Sequence, residues 1–154
     1  METFTDTKEL VPYPHFNEKR NIVLRNINYD EIDTPVIELI KNISKLDYCF
    51  SLQSCYGHFL YPGENAQLNT RPLPILNDDI SIDYRIAYLA ICIKDNQDGK
   101  SFLINLTKLT LIDPEYIFKD KDRITIDYKE ALIIEKVRNQ FFISLNELIE
   151  KLIK

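Results

Sequence analysis

Glycine is scarce in this sequence, since only three of its 154 residues are glycine. Positions that need a positive φ, or a close approach of the backbone to a ligand, are usually filled by glycine because it has no Cβ. A loop that cradles a phosphate group needs several such positions close together. The sequence therefore disfavours a glycine-rich phosphate-binding loop.

The sequence also lacks the marks of secretion and of membrane insertion. No basic leader precedes an apolar run at the N-terminus, and no later apolar run is long enough to cross a bilayer. The three cysteines are an odd number without CxxC pairs, which is not the disulfide framework of a secreted domain. We therefore expect a cytoplasmic protein without a membrane partner.

Clustered positive charge is absent as well. The chain has 19 Lys and Arg against 24 Asp and Glu, a formal net charge of −5. Its richest basic stretch, residues 119–123, alternates in sign and is typical of a solvated turn. Broad electrostatic binding of nucleic acid is therefore disfavoured, although a local basic groove could still assemble in the folded chain.

What the chain does have is enough apolar material for one core. Hydrophobic residues make up 45% of the sequence, and nine Tyr and eight Phe supply large side chains to bury. The length suits a single domain over residues 1–154. Prolines and polar residues predict an irregular N-terminal arm at 1–15 and a long loop at 59–79, and long loops in compact domains often cover binding sites.

Apolar periodicity and capping residues predict three helices. They are expected at residues 18–27, 35–46 and 129–154. Pro35 suits the first position of the second helix. In the third, Ser144 and Glu147 are spaced as a capping box, which is compatible with a break at that point.

Three other segments have the composition of strands. They are expected at residues 48–54, 84–93 and 124–128, the first two central in a sheet and the third at its edge. Residues 101–109 are ambiguous, because Asp98-Gly99 is a hairpin signal, yet the apolar residues that follow fit a short helix slightly better. The predicted fold class is α/β, with the second strand covered on both faces.

The candidate functional site is the turn from Gln53 to His58, which directly follows the first predicted strand. Loops at strand ends commonly present functional side chains. Gly57 suits a positive φ or a close approach by a ligand, whereas Gln53, Ser54 and His58 supply hydrogen-bonding groups. We expect these four residues to bind a ligand, and no residue is assigned to catalysis.

Cys55 has two possible roles, a buried structural residue of the turn or a nucleophile with His58 as its base. The spacing Cys55-x-x-His58 also offers two zinc ligands, with Cys49 as a possible third on the same strand. A four-coordinate site needs a further partner, so no metal is predicted. A plain turn without a function is the remaining alternative.

Two other polar features are interpreted as ordinary surface. Asp78, Asp79 and Asp83 fall between a loop and a strand without a cation-binding signature, and are expected to be solvated. His15 is expected to be an unremarkable residue of the arm.

The first sixty residues carry three short patterns. They are Phe16-x-x-Lys19-Arg20-x-x-Val23-Leu24, then Ile32-Asp33-x-Pro35-Val36-x-x-Leu39-Ile40, then Gln53-Ser54-Cys55-Tyr56-Gly57-His58. Together they resemble the wybutosine-synthesis methyltransferase family of tRNA-modifying enzymes. In that family a helix pair leads to a strand that ends in Ser-Ser-Cys-Ser-Gly-Arg. Three positions match this motif, whereas Gln53, Tyr56 and His58 stand where the family has Ser, Ser and Arg.

The resemblance implies an α/β fold distinct from the Rossmann methyltransferases, with a mixed β-sheet packed against helices. It also implies S-adenosylmethionine as cofactor and a tricyclic guanosine in tRNA as methyl acceptor. The function expected from it is a divergent S-adenosylmethionine-dependent tRNA-modifying methyltransferase. The main alternative is a non-catalytic domain of the same fold that binds a nucleotide-like small molecule or a protein, and a cysteine hydrolase is a third possibility.

Overall fold

The computed structural model describes residues 15–61, 64–65, 73, 81–109 and 123–154. Residues 1–14 of the arm expected at 1–15 lie outside these residues, as does most of the loop expected at 59–79.

Four α-helices form within the described ranges. They are α1 (Phe16–Arg25), α2 (Ile37–Ile43), α3 (Gln97–Leu109) and α4 (Tyr128–Ile153), with 3-10 turns at Tyr29–Glu31 and Thr34–Val36. The helices predicted at 18–27 and 129–154 are confirmed with small shifts of their ends, and α4 runs through Ser144 without a break. The helix predicted at 35–46 is shorter, because Pro35 lies in a 3-10 turn and α2 begins at Ile37 and ends at Ile43. Asp127 caps α4, because its side chain accepts a hydrogen bond from the Glu130 amide at 2.8 Å.

The ambiguity at Asp98-Gly99 is decided in favour of the helix. The Gly99 amide donates a hydrogen bond to Asn96 Oδ1 at 2.8 Å, so Asn96 satisfies one of the free amides in the first turn of α3. A hairpin at this point is therefore not formed.

Five strands form in the described part of the chain, and every pairing among them is antiparallel. They are β1 (Cys49–Cys55), β2 (His58–Leu60), β3 (Ile82–Arg85), β4 (Tyr88–Ile93) and β5 (Arg123–Ile126). β1 pairs with β4, whereas the other three form a sheet in the order β2-β3-β5, which confirms the edge position of β5. The α/β class is confirmed, but the expectation of a mixed sheet is wrong for these strands.

Two strand predictions also need correction. The segment 84–93 is not one central strand, because it is interrupted at Ile86-Ala87 into β3 and β4. The strand expected at 48–54 is present as β1, but it belongs to a two-stranded ladder and is not central. Phe59 and Leu60, expected in a loop, lie in β2 and are buried.

The two sheets are halves of one interrupted antiparallel ribbon. Cys55 pairs with Tyr88 at the end of the first half, and His58 pairs with Arg85 at the start of the second. Tyr56-Gly57 on one arm and Ile86-Ala87 on the other separate the halves. We call these four residues the ribbon break.

The buried residues form two apolar clusters that correspond to the two halves. The first is built by α2, β1, α3 and the C-terminal part of α4, and the second by β2, β3, β5 and the N-terminal part of α4. Helix α4 therefore packs on both. No helix in the described ranges is both long and apolar enough to span a membrane.

Candidate functional site

In the ribbon break, side chains accept hydrogen bonds from two backbone amides. Gly57 has a φ of 91°, which turns β1 into β2 and favours glycine. The Tyr56 amide donates to Asp33 Oδ2 at 2.8 Å, and the Ala87 amide donates to Tyr84 Oη at 3.3 Å. Because these amides are hydrogen-bonded, the ribbon break is an ordered part of the fold and not a frayed strand end.

Three ionisable side chains meet at this break, and we call them the polar cluster: Asp33, Cys55 and His58. His58 Nε2 lies 3.0 Å from Asp33 Oδ2, and one ligand atom from each of the three residues falls within 4.8 Å of the others. Each residue is only 6–7% exposed. The cluster therefore joins the segment before α2 to the end of β1 and the start of β2.

Protonation in the polar cluster is set by burial and by these contacts. Burial raises the pKa of the Asp33 carboxyl, but the hydrogen bonds from His58 and from the Tyr56 amide outweigh it, so this pKa lies below its usual value. Burial raises the pKa of the Cys55 thiol to about 11, against a smaller opposing effect of the Gly57 amide. At neutral pH Asp33 is ionised and Cys55 is a thiol.

This arrangement is not that of an activated cysteine. A nucleophilic thiol needs a base beside it and a lowered pKa, with the imidazole between thiol and carboxylate. Here Asp33 interacts with both His58 and the Cys55 thiol. The geometry therefore favours the structural role of Cys55 over the nucleophilic one.

A buried cation lies on the other side of the break. The Arg138 guanidinium, on α4, donates to the Gly57 carbonyl at 3.2 Å and stacks 4.2 Å from the centre of the Tyr56 ring. Its other nitrogens donate to Asn139 Oδ1. Tyr56 Oη donates to that same oxygen at 3.0 Å. This network fixes α4 to the break.

Next to the break, a groove of about 530 Å³ runs between the end of α1 and β1. It is lined by Ile22, Val23, Asn26, Ile27, Asn28, Glu31, Ile32, Ser51, Leu52, Gln53, Ser54 and Tyr88. Leu52 is an extra residue between the pairs Ser51–Ile91 and Gln53–Ala90, and this β-bulge turns the strand at the groove. The volume is within the range of small-molecule sites.

The predicted site residues separate into two groups. Gln53 and Ser54 lie in β1 and not in a turn, and they line the groove. His58 does not line this groove, since it begins β2 and is buried against Asp33. Gly57 is also buried. A Cβ at that position would lie 2.7 Å from Tyr84 Oη, so Tyr84 occupies the space beside it.

Asp33 is the residue that sequence reasoning missed. It is 25 positions from His58, so no short sequence motif contains both residues. Its position two residues before Pro35 indicates only that a helix follows. The one available signal was its place in the pattern Ile32-Asp33-x-Pro35.

The other interpretations concern Asp83 and His15. Asp83 lies in β3 and accepts a hydrogen bond from Thr125 Oγ1 of β5 at 3.3 Å, whereas Asp78 and Asp79 lie outside the described residues. His15 is exposed at the start of α1 and contacts Glu18 at 3.5 Å. Neither joins the polar cluster.

Comparison with known proteins gives no match for this chain among protein-family models, curated proteins or solved structures. The resemblance to the wybutosine-synthesis methyltransferase family continues to depend on the residues quoted for it.

Proposed function

We propose that this chain binds a nucleotide-like small molecule in the groove, and that S-adenosylmethionine is this ligand. The observation that carries the proposal is the position of Gln53 and Ser54 in one groove with Tyr88. Within the described part of the chain, neither Gln53 nor Ser54 has a side-chain hydrogen-bond partner. An amide, a hydroxyl and an aromatic ring are the groups that recognise the edge and the face of a base.

The charge of the groove favours S-adenosylmethionine over a nucleoside phosphate. Among the described residues that line it, Glu31 is the one carboxylate and no Lys or Arg occurs. These lining residues would offer a phosphate group no cation. The sulfonium of S-adenosylmethionine carries a positive charge that a carboxylate and the face of Tyr88 attract.

The Tyr88 hydroxyl adds a neutral donor to this surface. Burial raises the pKa of Tyr88, and the neighbouring Cys55 raises it further. The phenol therefore keeps its proton at neutral pH and can donate a hydrogen bond to a ligand oxygen or nitrogen.

The resemblance adds the family's reaction to this proposal. The methyl group would pass from the sulfonium to a guanosine derivative in tRNA and leave S-adenosylhomocysteine. The order of α1, α2 and β1 supports this, because it agrees with a helix pair that leads to a strand. A shared element order does not establish a reaction, so the binding step is tested first.

Isothermal titration calorimetry tests the cofactor. We expect S-adenosylmethionine to bind with a Kd below about 1 mM, which is roughly 4 kcal/mol. Ser54→Ala should weaken binding by about 1 kcal/mol because a hydrogen bond to the ligand is lost. Glu31→Gln should weaken it by about two- to fivefold, the size of a solvent-exposed ion pair.

Titration with S-adenosylhomocysteine tests the contribution of the sulfonium charge to binding, because its sulfur is neutral. Glu31→Gln should leave its affinity nearly unchanged, and Glu38→Gln, an exposed carboxylate outside the groove lining, should leave both affinities unchanged. No heat and no thermal stabilisation at several millimolar S-adenosylmethionine would contradict the proposal. Preferential binding of ATP would contradict the charge argument.

A further inference from the structure

We infer that Asp33, Cys55 and His58 form a binding site for one divalent transition metal ion, with zinc as the best fit. The inference is independent of any ligand in the groove. It starts from the convergence of a carboxylate, a thiol and an imidazole from three separate parts of the fold, the segment before α2, the end of β1 and the start of β2.

The donor set selects the class of metal. Magnesium and calcium prefer oxygen ligands, which Asp33 alone supplies here. Zinc accepts sulfur, nitrogen and carboxylate oxygen in one tetrahedral site, and soft thiolate ligands favour zinc over the hard cations. Three protein ligands leave a fourth position for water or another ligand.

The distances in the polar cluster fit this geometry after small shifts. Zinc bonds of about 2.0–2.3 Å at tetrahedral angles place ligand atoms roughly 3.5 Å apart. His58 Nε2 and Asp33 Oδ2, now 3.0 Å apart, would separate by roughly half an ångström. No pair of the three ligand atoms is more than 4.8 Å apart, so the widest closes by roughly 1 Å.

All three ligands are also held in place by contacts of the backbone. Asp33 is fixed by the Tyr56 amide, which donates to its Oδ2 at 2.8 Å. Cys55 pairs with Tyr88 in the ladder, and His58 pairs with Arg85. Such preorganisation reduces the cost of assembling a site.

Metal binding is coupled to the release of a proton. The metal binds the thiolate of Cys55, so the thiol proton is released to the solvent. It binds the neutral imidazole of His58 through Nε2, and in this form the single ring proton is carried on Nδ1, with no net proton release from the ring. No oxidant or reductant takes part.

Cobalt(II) titration of the full chain, freed of metal with a chelator, tests the site. Bound to a thiolate, cobalt(II) gives an intense charge-transfer absorption, and in a tetrahedral site it gives strong visible bands. We expect one equivalent to produce both signals, and zinc to displace it. The titration uses no nucleotide, so its failure would not be a failure of ligand binding in the groove.

Matched cysteine variants identify the ligand. Cys55→Ser should abolish the charge-transfer absorption and weaken cobalt binding by more than about tenfold, whereas Cys92→Ser should behave as wild type. Circular dichroism checks that each variant is folded. Should Cys55→Ser fail to fold, His58→Gln and Asp33→Asn carry the test through weakened binding and loss of the tetrahedral bands. A wild-type chain that binds no cobalt, or a folded Cys55→Ser variant with unchanged spectra, would overturn the inference.

Discussion

Asp33 is a buried carboxylate that contacts the ribbon break. Its carboxylate accepts hydrogen bonds from the Tyr56 amide and from His58, and it is 7% exposed. Hydrogen bonds to a charged group are stronger than those between neutral groups, and a buried partner left unpaired costs more still. The ionised form of Asp33 therefore contributes to the stability of the folded chain.

This contribution should depend on pH. The folded-state pKa of Asp33 is lowered from its usual value of about 3.9, so the stabilisation is complete above that value and is lost as the pH falls through the folded-state pKa. Asp33→Asn should lower the free energy of unfolding by about 1–3 kcal/mol at neutral pH, with a difference from wild type that shrinks below about pH 4. Urea denaturation across this range measures it. Asp47→Asn, at an exposed position, is the control, and a pH-independent difference for Asp33→Asn would contradict the account.

At this same scale the sequence was informative only over short distances. The position of Gln53 and Ser54 near the end of a strand was predictable, because the residues that form this strand are contiguous in the chain. The pairing of Asp33 with His58 was not recognisable, because it depends on how the segment before α2 packs beside β1. The burial of His58 could not be predicted for the same reason, because a polar residue after a glycine is typical of an exposed turn.

At the scale of elements, the ribbon break divides what looks like continuous strand. Apart from Arg85, residues 84–93 are apolar or aromatic on both alternating faces, and this pattern gives no sign of an interruption at Ile86-Ala87. The interruption is accompanied by the positive φ of Gly57 on the opposite arm and by a hydrogen bond from the Ala87 amide to Tyr84 Oη. The helices were easier to predict, because caps and periodicity are local.

Arg138 should be the strongest single link between α4 and the break. Arg138→Met removes the donors to the Gly57 carbonyl and to Asn139, together with the stacking on Tyr56. We expect a loss of about 2–3 kcal/mol in the free energy of unfolding, measured by urea denaturation.

Two further variants separate geometry from charge at this link. Arg138→Lys should restore little stability, because an ammonium cannot stack and donate on several sides as the planar guanidinium does. Lys136→Met, exposed on the same helix, should stay within about 0.5 kcal/mol of wild type. A lysine variant as stable as wild type would show that charge alone is sufficient.

At the scale of the whole molecule, one helix makes two apolar clusters interdependent. Ala131 and Ile134 of α4 belong to the second cluster, whereas Phe141 and Leu145 belong to the first. Arg138 lies between these two sets along the helix and contacts the break that separates the two halves of the ribbon. Because α4 is continuous from Tyr128 to Ile153, unfolding of either half exposes part of the same helix.

The two halves should therefore unfold as one unit. Ile134→Ala creates a cavity in the second cluster and should cost about 2–4 kcal/mol. Because α4 is shared, the slowest-exchanging amides of β1, which pack in the first cluster, should lose protection by the same amount as those of β3 in native-state hydrogen exchange. Leu132→Ala, at a neighbouring position that is 46% exposed, should change neither. If Ile134→Ala lowered protection in β3 while β1 kept its wild-type values, the halves would be separate folding units, and α4 would be two helical segments that merely follow one another.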